Sequence, residues 1–471
     1  MKPLFCAACI LLSSLILPSP AHAQKAGIAT GLWQGSLVLQ RASEGGSPPG
    51  ASQAGSLESP MTLRLLPPGK GALIDIEAQS MYGYPLDEVS WTADRLKFRF
   101  DALGPGEEMS FEGIYASIGT GQPAGAAGEG SIVGTARSPS WKASFRLKKV
   151  PGTAPPGEEP LDVVLPDAVL PGTLQLPSSG SSGAPLILLL AGAGSTDRNG
   201  NNFNVPGRTD SLAQLAARLA AKGVASWRWD KRGSGESYLY ESGERRLSLA
   251  VHVSDTAQAI TQAKKLKGFS RIIVSGMNEG AWIGAAALNS LAGDARAIPV
   301  ADGFAGYAVS GEAPEHTLAA SISTLDDATR KEAASILRAL LAGRPFSAPS
   351  AALADFFAPS RLDWLRSWLA FTPAREIGAL RMPVLLVYGE KDMQVSRKAF
   401  ELLLEARPLA IARIIPGMNH VLKSVEDEEE NYASFTDPGY EVPPAFVDLL
   451  AAFAKARPAP PGSQAYAAAD Q

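Results

Sequence analysis

The sequence predicts an α/β protein: a doubly wound, mainly parallel sheet that carries a helical cap and is preceded by a small all-β domain. Three observations lead there. From about Leu161 onward, apolar runs without alternation, such as Leu186 to Leu190 and Val384 to Tyr388, are separated by helical segments. That is the pattern of strands covered on both faces. Before Pro151 the apolar residues instead recur at every second position, as they do in antiparallel strands with one wet face. Between the apolar run Ile272 to Val274 and a small-residue helix from Ala281 lies Gly276-Met277-Asn278-Glu279-Gly280, a sharp turn with a glycine at each end.

In chain order, the 471 residues call for more than one domain. Residues 1–23 read as a signal peptide: Lys2 opens it, Cys6 to Leu17 is apolar, and Ala21-His22-Ala23 is a small-x-small cleavage site. The apolar run is too short for a membrane span, so no stable membrane insertion is expected. Both cysteines, Cys6 and Cys9, fall inside this segment, which leaves the mature chain without disulfide, thiolate nucleophile or cysteine metal site. The expected location is periplasmic or secreted. A net charge of −4 offers no basic footprint, so nucleic acid is not an expected partner.

Residues 24–150 form the β-rich domain, read as a sandwich or a small barrel. Its strand segments are Gly31 to Leu39, Met61 to Leu66, Ala72 to Glu77, Arg95 to Asp101 and Ser144 to Lys148. Two Gly/Ser/Pro-rich stretches, Ser43 to Ser59 and Gly119 to Gly130, read as loops. Residues 151–160 read as a linker. The second domain is placed at 161–457, and residues 458–471 as a tail. It begins with an expected hairpin of Val163 to Leu165 with Gly172 to Leu176. Leu212 to Lys222 and Val253 to Leu266 follow as helices, Val224 to Trp229 and Ala297 to Val300 as strands, and Ile411 to Ile415 as the last strand. At about 304–373 the alternation breaks, and Ser323 to Ala342 and Ala352 to Leu369 read as the helices of a cap. The acidic run Glu426 to Glu430 reads as a solvated face.

The five-residue turn has the layout of a nucleophile elbow, Gly-x-Ser-x-Gly, with Asn278 in the serine's place. Taken with Ala191 to Asn201, Trp229 to Ser237, Gly389 to Val395 and Gly417 to Lys423, it makes the chain from Leu161 to Lys455 resemble the α/β-hydrolase superfamily. The resemblance is to exported bacterial hydrolases of the esterase/acyl-peptidase-like type, which carry a β-rich N-terminal domain. It implies a carboxylic-ester-hydrolase site with Asn278 at the nucleophile position, Asp392 as the acid and His420 as the base. The backbone N–H groups of Ala193 and Glu279 would form the oxyanion hole. No cofactor and no metal are implied; the implied partner is a small ester or acyl ligand.

The departure at Asn278 decides the activity. An amide cannot lose a proton to an imidazole near neutral pH and cannot form an acyl-enzyme ester. Loss of the triad serine costs about 10⁶ in kcat in a subtilisin, with roughly 10³ to 10⁴ over water remaining from the rest of the site. A weak or inactive serine hydrolase is therefore expected. The alternatives are a protein that holds an acyl or amphiphilic ligand in the old pocket, and hydrolysis by water activated through His420 and Asp392. Asp230, in Asp230-Lys-Arg-Gly-Ser-Gly, competes for the acid but reads as a structural turn, and Ser275 is expected to point into the sheet. Trp364, Trp368 and Phe371 could line a pocket, but burial preference favours helix-packing core.

Overall fold

The structure is a computed structural model, and it describes residues 28–41, 56–101, 107–117, 130–152, 154–238, 247–292, 300–316, 318, 325–354 and 356–456. The signal-peptide reading, the tail from 458, and most of the two Gly/Ser/Pro-rich stretches lie outside them; Leu57 to Ser59 and Gly130, at the ends of those stretches, are in strands.

The first unit is a closed antiparallel barrel of strands in chain order: β1 (Gly31–Arg41), β2 (Leu57–Leu65), β3 (Ala72–Ile76), β4 (Met81–Trp91), β5 (Arg95–Phe100), β6 (Met109–Ser117), β7 (Gly130–Arg137) and β8 (Trp141–Lys149). Pairing of β1 with β8 closes it and removes every free edge. Alternate residues point inward: Leu96, Phe98 and Phe100 from β5 meet Ala143, Phe145 and Leu147 from β8 in one core. Phe111 fills the middle, stacked on Phe98 at 4.4 Å and tilted on Phe145 at 5.7 Å. Strands β4, β6 and β7 were not among the segments expected from the sequence. In β4 the alternation is broken by a register shift between Asp87 and Ser90, with Glu88 at φ 51°.

The second unit is an eight-stranded sheet in the order β18-β17-β16-β15-β13-β14-β12-β9. Its strands are β9 (Glu158–Pro160), β12 (Gly172–Gln175), β13 (Pro185–Leu190), β14 (Ala225–Trp229), β15 (Arg271–Met277), β16 (Gly303–Tyr307), β17 (Val384–Gly389) and β18 (Ile411–Ile415). A separate two-stranded piece pairs β10 (Val163–Val164) with β11 (Val169–Leu170). From β14 to β18 every pairing is parallel, while β12 and β9 close one edge antiparallel. Two expectations are corrected here. The end of the presumed linker, Glu158–Pro160, is an edge strand of this sheet. The expected hairpin does not form, because Val163–Val164 pairs with Val169–Leu170 and Gly172–Gln175 pairs with β14. Of the strand expected at 297–300, all but Val300 lies outside the described residues; the parallel strand between β15 and β17 is Gly303–Tyr307, whose Gly-Phe-Ala-Gly-Tyr composition carries little strand signal.

Helices α1 (Ser211–Ala221), α2 (Leu249–Ala263), α3 (Glu279–Leu291), α4 (Asp327–Leu341), α5 (Leu362–Leu369), α6 (Pro373–Gly378), α7 (Arg397–Ala406), α8 (Glu428–Ala433) and α9 (Pro444–Lys455) complete the unit. Two apolar cores, one on each face of the sheet, hold it: Leu186, Leu188 and Leu190 point to one, Ile187 and Leu189 to the other. Helix α8 takes up part of the acidic run. Asp427 caps it by accepting from the Glu430 N–H at 2.9 Å, and the glutamates sit in its first turn, where the helix dipole favours them. Among the described residues no helix is long and apolar enough to cross a membrane.

The order and direction of these strands, with the chain passing from β13 to β14 on one side and then to β15 on the other, make this the α/β-hydrolase fold. Ligands bind at such a switch point, beyond the carboxyl ends of the strands. The helical insert has its own core, including Ile336, Leu340, Phe357 and Leu365. Its second helix is short, starting only at Leu362. It rests on α2 and α3: the Leu249 N–H donates to Ser367 Oγ at 2.8 Å, and Trp282 packs on Trp368 and Phe371 at 6.4 and 5.7 Å. Trp364 and Trp368 stack at 5.5 Å, so these three aromatics are packing core, as burial preference suggested.

Candidate active site

Strand β15 runs straight into the elbow. A Cβ on Gly276 would lie 2.3 Å from the Ala281 nitrogen, and one on Gly280 would lie 2.5 Å from the Ala191 carbonyl oxygen. Only glycine allows the turn to close this tightly and α3 to press this near to the end of β13. Between them Asn278 has φ 50° and ψ −121°, a region that L side chains rarely occupy and that costs about 1–3 kcal/mol. Two backbone hydrogen bonds hold it there: Asn278 N–H to the Tyr307 carbonyl and Ala281 N–H to the Asn278 carbonyl, each 3.0 Å.

The loops after β17 and β18 bring the other two side chains. Asp392 is buried and its Oδ1 accepts from the Gln394 and Val395 N–H groups at 2.8 and 2.9 Å. Both of its oxygens lie 3.0 Å from His420 Nδ1. The loop carrying His420 is held by buried Asn419, whose Nδ2 donates to Asn431 Oδ1 at 3.0 Å and Ser434 Oγ at 2.7 Å, and whose Oδ1 accepts from the Lys423 N–H at 2.9 Å. His420 Nε2 is 2.9 Å from Asn278 Nδ2. The amide nitrogen can only donate, so Nε2 accepts and Nδ1 carries the proton given to Asp392. The three residues thus form one continuous chain of hydrogen bonds, laid out as a catalytic triad is, with an amide at its outer end.

The expected oxyanion donors flank that end. Gly192 approaches the elbow closely enough that a Cβ there would be 3.9 Å from Asn278 Cβ. Among the described residues, no acceptor takes the N–H of Ala193 or of Glu279. A cavity of about 260 Å³ opens beside them, lined among others by Ala193, Asn201, Arg208, Asn278, Gln394 and His420. None of its lining residues comes from the helical insert. Asn201 and Gln394 lie in the stretches 191–201 and 389–395 but are not themselves singled out from the sequence, and Arg208 and Phe435 lie outside every stretch that is.

The competing residues lie elsewhere. Asp230 accepts from the Arg198 N–H at 2.8 Å, from Arg198 Nη1 at 3.0 Å and from the Glu236 N–H at 2.9 Å, so it braces a turn. Ser275 Oγ donates to the Leu188 carbonyl at 3.1 Å inside the sheet. His252 is buried on α2, and burial, with the charges of Lys231 and Arg232 beyond it, pushes it down to about 3. His316 is exposed in the insert. Among the described residues no group of three or more His, Cys, Asp or Glu is placed to hold a metal ion.

The barrel meets this region through the loops after β13 and β14. Tyr84 packs on Phe203 at 5.9 Å, Arg208 lies over the Tyr82 ring at 5.1 Å, and Arg64 pairs with Glu236 at 2.8 Å. A polar crevice of about 130 Å³ lies between the two units and shares Asn201 and Arg208 with the cavity at Asn278. Desolvation there, and then the neighbouring Asp230 carboxylate, push Asp197 up to about 7.

No protein-family model matches the chain, and no curated protein does. Similar solved structures include Est1E from Butyrivibrio proteoclasticus (16% identity, TM-score 0.36, covering 58% of this chain and 94% of that one). Another is the esterase domain of a Rhodothermus marinus protein (14%, TM-score 0.36, 63% and 97%). A third is the proline iminopeptidase of Mycobacterium smegmatis (16%, TM-score 0.37, 63% and 97%).

Proposed function

We propose that the chain is an α/β-hydrolase homologue of carboxylic-ester-hydrolase type whose cavity takes a small ester or acyl compound, and that it lacks covalent serine catalysis. The observation that carries this is the hydrogen-bond chain from Asn278 Nδ2 through His420 to Asp392. Ester hydrolysis by this route needs an attacking oxygen at the end of that chain, an imidazole to take its proton, a carboxylate to stabilise the imidazolium, and two N–H groups for the developing oxyanion. All but the oxygen have a candidate in place. The experiment is Asn278→Ser. The variant is expected to hydrolyse p-nitrophenyl acetate at least about 10³-fold faster than the natural chain, the scale of a restored triad nucleophile, and to take a fluorophosphonate label at residue 278. A variant that neither turns over nor labels rejects the reading.

One contact favours a second reading, ligand holding without turnover. His420 Nε2, the atom that would activate a water, already accepts from the Asn278 amide. Turnover by the natural chain that disappears in His420→Ala would reject it in favour of water activation. We also propose export to the periplasm or medium; the support is the charged start, apolar stretch and small-x-small site within residues 1–23. Amino-terminal sequencing of the expressed protein that finds Met1 retained rejects this.

A further inference from the structure

Lys231 follows β14 and is, with Lys423, one of two buried lysines among the described residues. Its Nζ donates to the Gly192 carbonyl oxygen and lies 3.9 Å from Glu279 Oε1. Those two partners belong to the two segments expected to supply the oxyanion donors. The Gly192 carbonyl and the Ala193 N–H are one peptide group. A trans peptide is planar and its C=O and N–H point in opposite directions, and every described peptide bond here is trans. A carbonyl drawn toward the core by an ammonium therefore turns the N–H on the other side outward. Ala193 lines the cavity beside Asn278. The second partner, Glu279, contributes its own N–H at the first position of α3, while its buried carboxylate faces Lys231 and leaves Oε2 without a partner among the described residues.

We propose that Lys231 is the positioning residue of the oxyanion pocket: one buried ammonium aims the Ala193 N–H through its own carbonyl and tethers the residue that supplies the second N–H. The inference rests on the pocket reading above. It also assigns a reason for the lysine in Asp230-Lys-Arg-Gly-Ser-Gly, a turn whose other charged side chains, Asp230 and Arg232, are engaged by Arg198 and by Asp167 and Asp255. Other groups around Lys231 do not compete for this role. His252 and Thr256 line a cavity of about 20 Å³ with it, and neither reaches the Gly192 carbonyl among the described hydrogen bonds. Burial lowers the Lys231 pKa and raises that of Glu279, while each charge opposes the shift of the other. That is the behaviour of a pair held inside the protein rather than on its surface.

The test has two readouts. In the natural chain, glycine labelled at the carbonyl and alanine labelled at nitrogen report the Gly192–Ala193 peptide by NMR, assigned by its loss in Ala193→Ser. Lys231→Met, which keeps length and removes the donor, is expected to move or broaden that signal and leave the Gly71–Ala72 signal in the barrel unchanged. In the Asn278→Ser background, Lys231→Met is expected to lower kcat by about 10²–10³, the scale of losing one oxyanion donor, with KM little changed, and Lys231→Arg to retain most of it. An unmoved peptide signal overturns the proposal, and so does an unchanged kcat in an active Asn278→Ser protein. If Asn278→Ser is inactive, the hydrolase reading has failed and the peptide signal alone decides Lys231. Should Lys231→Met not fold, Lys231→Gln, too short to span to Gly192, serves in both readouts with the same expected directions.

Discussion

The barrel and the parallel sheet are both built of strands, and they bury their side chains in different ways. In β5 and β8 burial alternates, so each strand keeps one wet face. In β13, β14 and β17 every residue is buried. A strand covered on both faces has no side-chain face to offer a ligand. What it can do is end at a fixed point, and the loops after β13, β15, β17 and the edge strand β18 bring Ala193, Asn278, Asp392 and His420 together. The barrel's inward faces are filled by aromatic and aliphatic side chains, and its outward faces carry exposed pairs such as Lys97–Glu112, of the kind worth little to stability. Its contribution to the site is a surface, Tyr82 to Tyr84, against which the loop after β13 packs. The difference teaches that the candidate site is separated from the barrel core: both units fill an interior, but only the sheet's loop ends converge on the cavity at Asn278.

Three substitutions test that separation, beyond Asn278→Ser. The largest effect is expected from Phe111→Ala in the barrel core. Truncating a buried phenylalanine costs about 3–5 kcal/mol, and urea unfolding should show the loss in the barrel. The turnover gained by Asn278→Ser should persist in the double variant below the unfolding range. Loss of that turnover in still-folded protein would break the separation.

A smaller effect is expected at the seam. Asp197 ionises near 3.8 in a solvated chain and near 7 in the folded one. Between these values the folded state holds more protons than the unfolded, so its stability falls as pH rises from about 4 to about 7 and levels off above. Asp197→Asn keeps an oxygen to accept from the Asn199 and Asn201 N–H groups, which lie 2.8 and 2.9 Å from Asp197 Oδ1. Its urea midpoint should match that of the natural chain near pH 4 and exceed it at pH 8. Equal pH slopes in the two proteins would show that the seam does not desolvate this carboxyl.

The smallest effect belongs to the elbow itself. Asn278→Gly relieves the strained φ and removes the amide; against the backbone entropy of glycine, a net gain of about 1 kcal/mol is expected in thermal unfolding. A loss of stability instead would mean that the bond to His420 outweighs the strain, and that the site contributes to the fold.

Much of this was legible in the sequence because it depends on local pattern. The full burial of β13 and β17 shows as unbroken apolar runs. The elbow shows as two glycines enclosing Met277, Asn278 and Glu279, because only glycine tolerates backbone atoms at 2.3–2.5 Å from where a Cβ would be. Asp392 and His420, each past a strand, came instead from the resemblance of Gly389 to Val395 and Gly417 to Lys423 to the α/β-hydrolase superfamily. Tertiary structure decided the rest. Local periodicity reports which side of a strand is wet and says nothing about which strand lies next to it. So closure of β1 on β8, the edge place of Glu158–Pro160 and the partner of Val163–Val164 were not available from the sequence. The short strand Gly303–Tyr307 is held by its neighbours rather than by its own propensity. The burial of Lys231 against Gly192 and Glu279 joins residues far apart in the chain. A buried charge is tolerated only where the folded structure supplies its partners, and those partners exist only once the strands have been placed.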